Sequence, residues 1–427
     1  MTNPESHVAP KPTILLVTSG YHLYREYLLK EIAQHAQVWL FHDREANWEK
    51  PYIIGNTVVA SLDVNAMTAA ARALPTHVHI DGVLCWDEIK MVHAAQLAQA
   101  LGLPGTKPEN AAQCRDKHLT RKALAAAGVP QPVSTLVGSL EEARKAADST
   151  GYPVIVKPRA LGASYGVSLA HDPAQLPAAF AHAESAREDG VPVFGQGVLI
   201  EEYMRGPEVS IDCAWVKGKM FPLYLARKIT GFYPHFEEIG HVVDANDPLL
   251  QDKTFLAVLQ AAHDAVGFET GITHTELRLT DQGPKIVEIN GRLGGDMIPF
   301  VGWIASGISP GKVLVEVASG RAPDVTGGEK AVAAIRFFYP PEDVIVDEVR
   351  LDRPALPQGI HVAAPLGQPG QKLVLPPADH VSCRYAYTIA RGASAEACES
   401  ILDRAEQAFH LDAHPLVEQE ETAATHA

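Results

Sequence analysis

Residues 272–279 and 284–290 are two strand-like runs flanking the turn-forming trio Asp281-Gln282-Gly283, and this reversal constrains the chain more than any other segment. A hairpin centred on Gln282 sets Glu276 opposite Glu288, with Asn290 two residues on and therefore on the same face. Like charges directly opposite one another destabilise a hairpin. A hard divalent cation between them reverses that sign, and the amide oxygen of Asn290 completes an oxygen-only set suited to Mg²⁺, with Mn²⁺ as the alternative. The competing reading is a solvated sheet face on which the two glutamates pair with Arg278 or Lys285. The text that follows, Asn290-Gly291-Arg292-Leu293-Gly294-Gly295-Asp296, favours the metal, because backbone amides and a guanidinium there can meet a phosphate.

The rest of the chain supplies a frame for such a site. The apolar run 13–18, a helical stretch to about residue 35 and a strand at 38–41 make a βαβ beginning, repeated by a strand at 81–85 and a helix at 89–101 closed by Gly102. An open parallel sheet follows from the layer and handedness rules, without a GxGxxG dinucleotide fingerprint. Residues 108–128 are helical, Pro130 and Pro132 read as a linker, and short strands at 154–157 and 167–170 alternate with a helix at 140–148. Thr326-Gly327-Gly328 marks a further boundary before a strand at 331–338. The expected division is an α/β domain at 1–112, a central region at 113–325 with a lid at about 131–203, and a β-rich part with its tail at 326–427. The tail at 418–427 is expected to be disordered.

Composition excludes several classes. The 51 Asp and Glu against 36 Lys and Arg leave a net charge of −15, which disfavours a nucleic-acid partner. No apolar stretch approaches the ~20 residues of a bilayer span. Residues 1–12 lack the pattern of a secretory leader, and five scattered cysteines form no CxxC, so a reducing cytoplasm is expected. Cys213 reads as core, and Met297 and Trp303 as packing.

Two more segments carry chemistry. Lys157 ends a strand and is followed by a small-residue loop, Gly162-Ala163-Ser164-Tyr165-Gly166, able to lie over a polyphosphate; a plain hairpin turn is the alternative. An apolar strand then runs into Glu201-Glu202-Tyr203-Met204-Arg205-Gly206-Pro207-Glu208, a hinge whose backbone can pair with a base edge and whose Glu208 can accept ribose hydroxyls. Arg227-Lys228 reaches either phosphate or solvent.

Lys157-Pro158, the loop, the EEYMxGxE hinge and the Glu276, Glu288, Asn290, Arg292 series stand in the order of the ATP-grasp superfamily, which residues 116–321 resemble. The preceding region resembles a pre-ATP-grasp domain. The resemblance implies the ATP-grasp fold, a mixed α/β and α+β multidomain chain with a Rossmann-like N-terminal domain and a β-rich C-terminal subdomain. It implies ATP held by Lys117, Lys157, Gly162, Ser164, Gly166, Glu201, Tyr203, Met204 and Glu208, with Mg²⁺ on Glu276, Glu288 and Asn290.

Within the superfamily the chain is most similar to L-amino acid ligases, through the segment from Phe236 to Val243 and the AAIRFF run. That similarity implies Glu238 facing a substrate ammonium, His241 lining an amino-acid pocket, and Arg292 with the Gly294 and Gly295 amides steadying an acyl phosphate and its tetrahedral successor. Asp244-Ala245 departs from the family's Pro-Ala or Pro-Ser, which leaves substrate choice open. The expected activity is ATP-dependent amide-bond formation between amino acids under a closing lid. Alternatives are a ligase joining an amino acid to another carboxylate, and a nucleotide-binding regulator without turnover. Partners are small molecules, with a homodimer as the default assembly.

Overall fold

The computed structural model describes residues 11–187 and 196–416; residues 1–10 and 418–427, on which the leader and tail expectations rest, lie outside them. The run TILLV, Thr13–Val17 (β1), is buried at every position, as a strand covered on both faces must be. It pairs in parallel with Gln37–His42 (β2) and Gly82–Leu84 (β4), and β2 pairs with Gly55–Val58 (β3), giving the order β3-β2-β1-β4. The short polar β3, GNTV, escaped the sequence reading because it shows no alternation.

Residues 108–128 form two helices, Pro108–Arg115 and Lys117–Ala126, instead of one. Asp116 breaks them, because its extended backbone and its carboxylate, which accepts from the amides of His118 and Leu119, cap the second helix. The lid is a four-stranded antiparallel sheet of Ser134–Val137 (β5), Val154–Pro158 (β6), Ser168–Ala170 (β7) and Val198–Glu202 (β8), ordered β5-β8-β6-β7. Two helices, Leu140–Thr150 and Leu176–Ser185, close its own core around Val154, Val156, Phe180 and Ile200.

The central element is an eight-stranded sheet. It contains Glu208–Val216 (β9), Lys219–Gly231 (β10), Glu237–Asp244 (β11), Gly271–Thr280 (β12), Gly283–Asn290 (β13) and Val332–Phe338 (β14). After Val344–Leu351 (β15) the chain returns to it as Ile360–Pro365 (β16), and after Lys372–Leu373 (β17) as Ala386–Gly392 (β18). The order is β13-β12-β9-β10-β11-β14-β18-β16, while β15, β17 and Phe409–Pro415 (β19) form a small separate sheet. The boundary expected near residue 326 therefore cuts through one sheet, since β11 and β14 are hydrogen-bonded neighbours.

Strand alternation gives β9 two unlike faces. Val209, Ile211, Cys213 and Trp215 pack with Phe255, Leu259 and Val266 of the helix Lys253–Val266, and Cys213 is core as read. Glu208, Ser210 and Asp212 point the other way, beside Arg278, Glu276 and His274 of β12. A polar face this rich in charge on a central sheet needs a function.

Candidate functional site

That face and the lid enclose a cleft of about 860 Å³. Lys117, Lys157, Gly162, Ser164, Glu201, Tyr203, Met204, Glu208, Glu238, Glu276 and Glu288 all border it. Ile155, Tyr203, Met204 and Phe236 supply apolar wall, and carboxylates and lysines line the rest.

The hairpin brings Glu276 opposite Glu288 and His274 opposite Asn290. Near the turn, however, Leu277 faces Ile286 and Thr280 faces Gly283, a register centred between Asp281 and Gln282. An extra residue, Val287, forms a β-bulge and restores the facing pair. Arg121, buried, donates to the carbonyls of Ile286 and Val287 at 3.1 and 2.7 Å and so pins the bulge. A second bulge, at Ile239 of β11, turns Glu238 onto the face of His241.

The charges on this face are already partnered. Lys228 meets Glu208 at 3.0 Å, Glu238 at 2.5 Å and Glu276 at 3.0 Å, and Lys117 meets Glu288 at 2.8 Å. Neither Arg278, which binds Glu208, nor Lys285, which binds Glu202, compensates the facing glutamates. Their proximity is thus tolerable without a bound cation, and the charge argument made from sequence is corrected. Two carboxylates and the amide of Asn290 still form an oxygen-only donor set on one face, which fits a hard divalent ion. No group of three or more His, Cys, Asp or Glu side chains suited to a metal occurs among the described residues.

Burial opposes ionisation of Glu276 and Glu238, yet Lys228 outweighs it; Glu276 is held well below the ordinary range and Glu238 at about 2. Burial lowers the Lys157 ammonium, with the carboxylate of Glu201, 2.7 Å away, acting against that. His274, bonded to Asp212 at 2.7 Å, is raised to about 9 against its own burial.

The loop after Lys157 is left-handed at Leu161, Ala163, Ser164 and Gly166, with φ of 89°, 51°, 59° and 74°. Three non-glycine residues in that region within one short loop concentrate strain beside the cleft, as ligand-gripping loops do. The carbonyl of Leu161 accepts from Lys117 at 2.7 Å, and Ser164 donates to the carbonyl of Phe236 at 3.1 Å.

Several sequence-assigned residues lie off the cleft or have partners of their own. Gly166 does not border the cleft; an added Cβ would sit 3.1 Å from Pro158, so glycine there permits the loop to fold back. Glu201 borders the cleft and its carboxylate pairs with Arg121 and Lys157, so only its backbone is left for the hinge role read from sequence. Glu238 spends its charge on Lys228. His241 is fully buried, lines neither cavity and bonds the Asp296 carbonyl at 2.8 Å. Arg292 binds Glu88 at 2.6 Å, a partner 204 residues earlier in the chain that no local pattern reveals. The Gly294 amide donates to Asp212 at 3.3 Å, which leaves Gly295 as the loop glycine open to a cavity. Arg227 binds Asp247, so of that pair only Lys228 reaches the cleft.

A second cavity of about 1260 Å³ adjoins the cleft, with Ala163 bordering both. Its walls come from the N-terminal domain, the Gly295-Asp296 loop and residues 366–384. Arg384, missed by sequence reasoning, is fully buried there, grips Asp296 at 2.8 and 2.9 Å, and reaches Glu237 at 3.0 Å. These partners are 88 and 147 residues away along the chain, beyond any local pattern.

Residues 150–299 match the family model described as an ATP-grasp domain. The chain is 25% identical over 362 residues to an uncharacterized protein of Sinorhizobium fredii, covering 84% of this chain and 73% of that one. It is 27% identical over 287 residues to the alanine–anticapsin ligase of Bacillus subtilis, spanning 61% of this chain and 60% of the ligase. An L-amino acid ligase from Bacillus licheniformis superposes with a TM-score of 0.78 at 20% identity, over 95% of this chain and all of that one. That likeness establishes the ATP-grasp fold expected from the sequence. No single helix among the described residues is long and apolar enough to cross a membrane.

Proposed function

The chain carries an ATP-grasp domain in an ATP-grasp fold, and from that premise we propose that it is an ATP-dependent carboxylate–amine ligase joining two amino acids. The observation that carries this is the pair of adjoining cavities meeting at Ala163, one lined by lysines and carboxylates, the other by aromatic rings and arginine. The likeness to amino-acid ligases supports it.

ATP would lie in the cleft with its base against Tyr203 and Met204 and its phosphates toward Lys117 and Lys157, under the strained loop. Glu276, Glu288 and Asn290 would hold Mg²⁺, which when bound screens phosphate charge. A substrate carboxylate oxygen attacks the γ-phosphorus, the bond to the β–γ bridging oxygen breaks, and ADP leaves with an acyl phosphate remaining. The second substrate's amine then attacks the acyl carbon, phosphate departs, and the nitrogen loses its proton to give the amide. The Gly295 amide and the Arg292 guanidinium would steady the developing oxyanion, Arg292 being oriented by Glu88. The loop and lid exclude water from the acyl phosphate.

Release of ADP and phosphate should require a pair of free L-amino acids with ATP. No release with any pair, or equal release with carboxylates other than amino acids, overturns the proposal.

A further inference from the structure

The second cavity holds a cation that the cleft chemistry leaves unused. Arg25 stands in the first turn of the helix His22–His35 and lines that cavity beside Tyr21, Tyr24 and Trp86. Its stem is fixed in place: a Cβ on Gly20, at φ +73°, would lie 3.1 Å from Arg25 Cγ and 3.2 Å from Trp86 Nε1. Glycine therefore lets the arginine and the indole converge on one point. The cavity's other arginine, Arg384, is saturated by Asp296 and Glu237. Arg25 is different. Among the described residues no carboxylate stands within ion-pair distance of it, and its hydrogen bond to the Gly294 carbonyl is long, 3.5 Å. Burial lowers its pKa; the neighbouring Tyr27 hydroxyl acts against that, Arg292 adds to it, and Asp296 and Asp212 raise it only from a distance. A partly buried guanidinium with a rigid stem and spare donors is a receptor for a planar anion.

Resting on the ligase reading, we propose that Arg25 receives the free carboxylate of the amine-bearing substrate, so that this substrate must itself be an α-amino acid rather than a simple amine. Geometry assigns the carboxylate to that substrate. The reacting carboxylate must reach the phosphates in the cleft, whereas Arg25 borders only the second cavity. Tyr24 and Trp86 then lie against the bound molecule's apolar part.

The test compares a free amino acid with its carboxamide as the amine donor, with ATP and a fixed acid donor. The parent protein should favour the free acid, and Arg25→Gln should raise the KM for the free acid about 10- to 100-fold, as expected for a lost hydrogen bond to a charged group. The same variant should bring acid and amide to near parity, with KM for ATP and melting temperature unchanged; Arg25→Lys should restore part of the preference. An unchanged acid-to-amide ratio in a folded Arg25→Gln protein overturns the assignment and leaves the ligase reading standing, as does a KM rise confined to the acid donor. If the parent releases no ADP with any amino-acid pair, the reading and the assignment fall together.

Discussion

Burial pushes the Glu201 carboxyl up, yet Arg121 and Lys157, each 2.7 Å away, hold it at about 2. A folded-state pKa below the ordinary 4.5 contributes stability that is complete above 4.5 and is lost as pH falls toward 2. Urea midpoints should fall across that window in the parent and flatten in Glu201→Gln. At neutral pH the variant should be destabilised by about 3–5 kcal/mol, because two buried cations lose their counter-charge. Equal pH slopes in the two proteins would count against this role. Lys228 offers a second case. Its removal in Lys228→Met strips Glu208, Glu238 and Glu276 of a shared ammonium, so the carboxyl pKa values of Glu238 and Glu276, which that ammonium holds down, rise. If activity needs these two ionised, the acid limb of the pH–rate profile moves to higher pH; an unmoved limb would show that neither must be charged. Glu288→Gln should slow ADP release about 100-fold or more, the scale of a lost electrostatic contact at a reacting phosphate, with a smaller loss of stability than Glu201→Gln because only Lys117 loses its carboxylate partner, read by steady-state kinetics beside a thermal melt.

At the scale of elements, two bulges do what strand alternation alone would not. Were Val287 paired in regular register instead of bulged out of it, Glu276 would face Val287, and Glu288 and Asn290 would turn to the apolar face. Deleting Val287 joins Ile286 to Glu288 and keeps Glu276 opposite Glu288 in regular register, so ADP release should survive, as it should in Val287→Ala, while the melting temperature falls because Arg121 loses the Val287 carbonyl. Loss of ADP release in a folded deletion protein, with Val287→Ala active, would show that the site needs the bulge itself and not only the facing pair. This is also where legibility ended. β-prone runs around Asp-Gln-Gly announce a reversal, and the facing pair of glutamates was legible from spacing. The bulge was not, because Val287 is an ordinary strand residue held out of register by Arg121, 166 positions earlier in the chain. Likewise the Lys157 loop was legible as small-residue text, but its left-handed residues and its ties to Lys117 and Phe236 arise from contacts distant in sequence. Composition names the participants; tertiary packing decides which of them meet.

On the scale of the whole molecule the eight-stranded sheet joins the floor of the cleft and the C-terminal segment into one body. β14 joins β11 from Gly240 to Asp244 and β18 on its other side, and the Arg384 cluster ties Glu237 of β11 to Asp296 of the glycine loop. A Gly-Gly step near residue 327 reads as a domain boundary only because local composition is blind to the pairing that follows it. If the sheet is one cooperative unit, amides of β14 and β18 should exchange with solvent at the same free energy as those of β9 and β12. The lid, whose four strands close on a core of their own, should open at a lower one. Native-state hydrogen exchange followed peptide by peptide in rising denaturant measures this. A C-terminal segment that exchanges early, while β9 to β12 stay protected, would restore the boundary and make the Arg384 cluster a docking contact rather than part of the core. Nucleotide binding should slow exchange in the lid and in the loop after Lys157 before it affects the sheet, because those elements gain a partner on the face that the cleft leaves open.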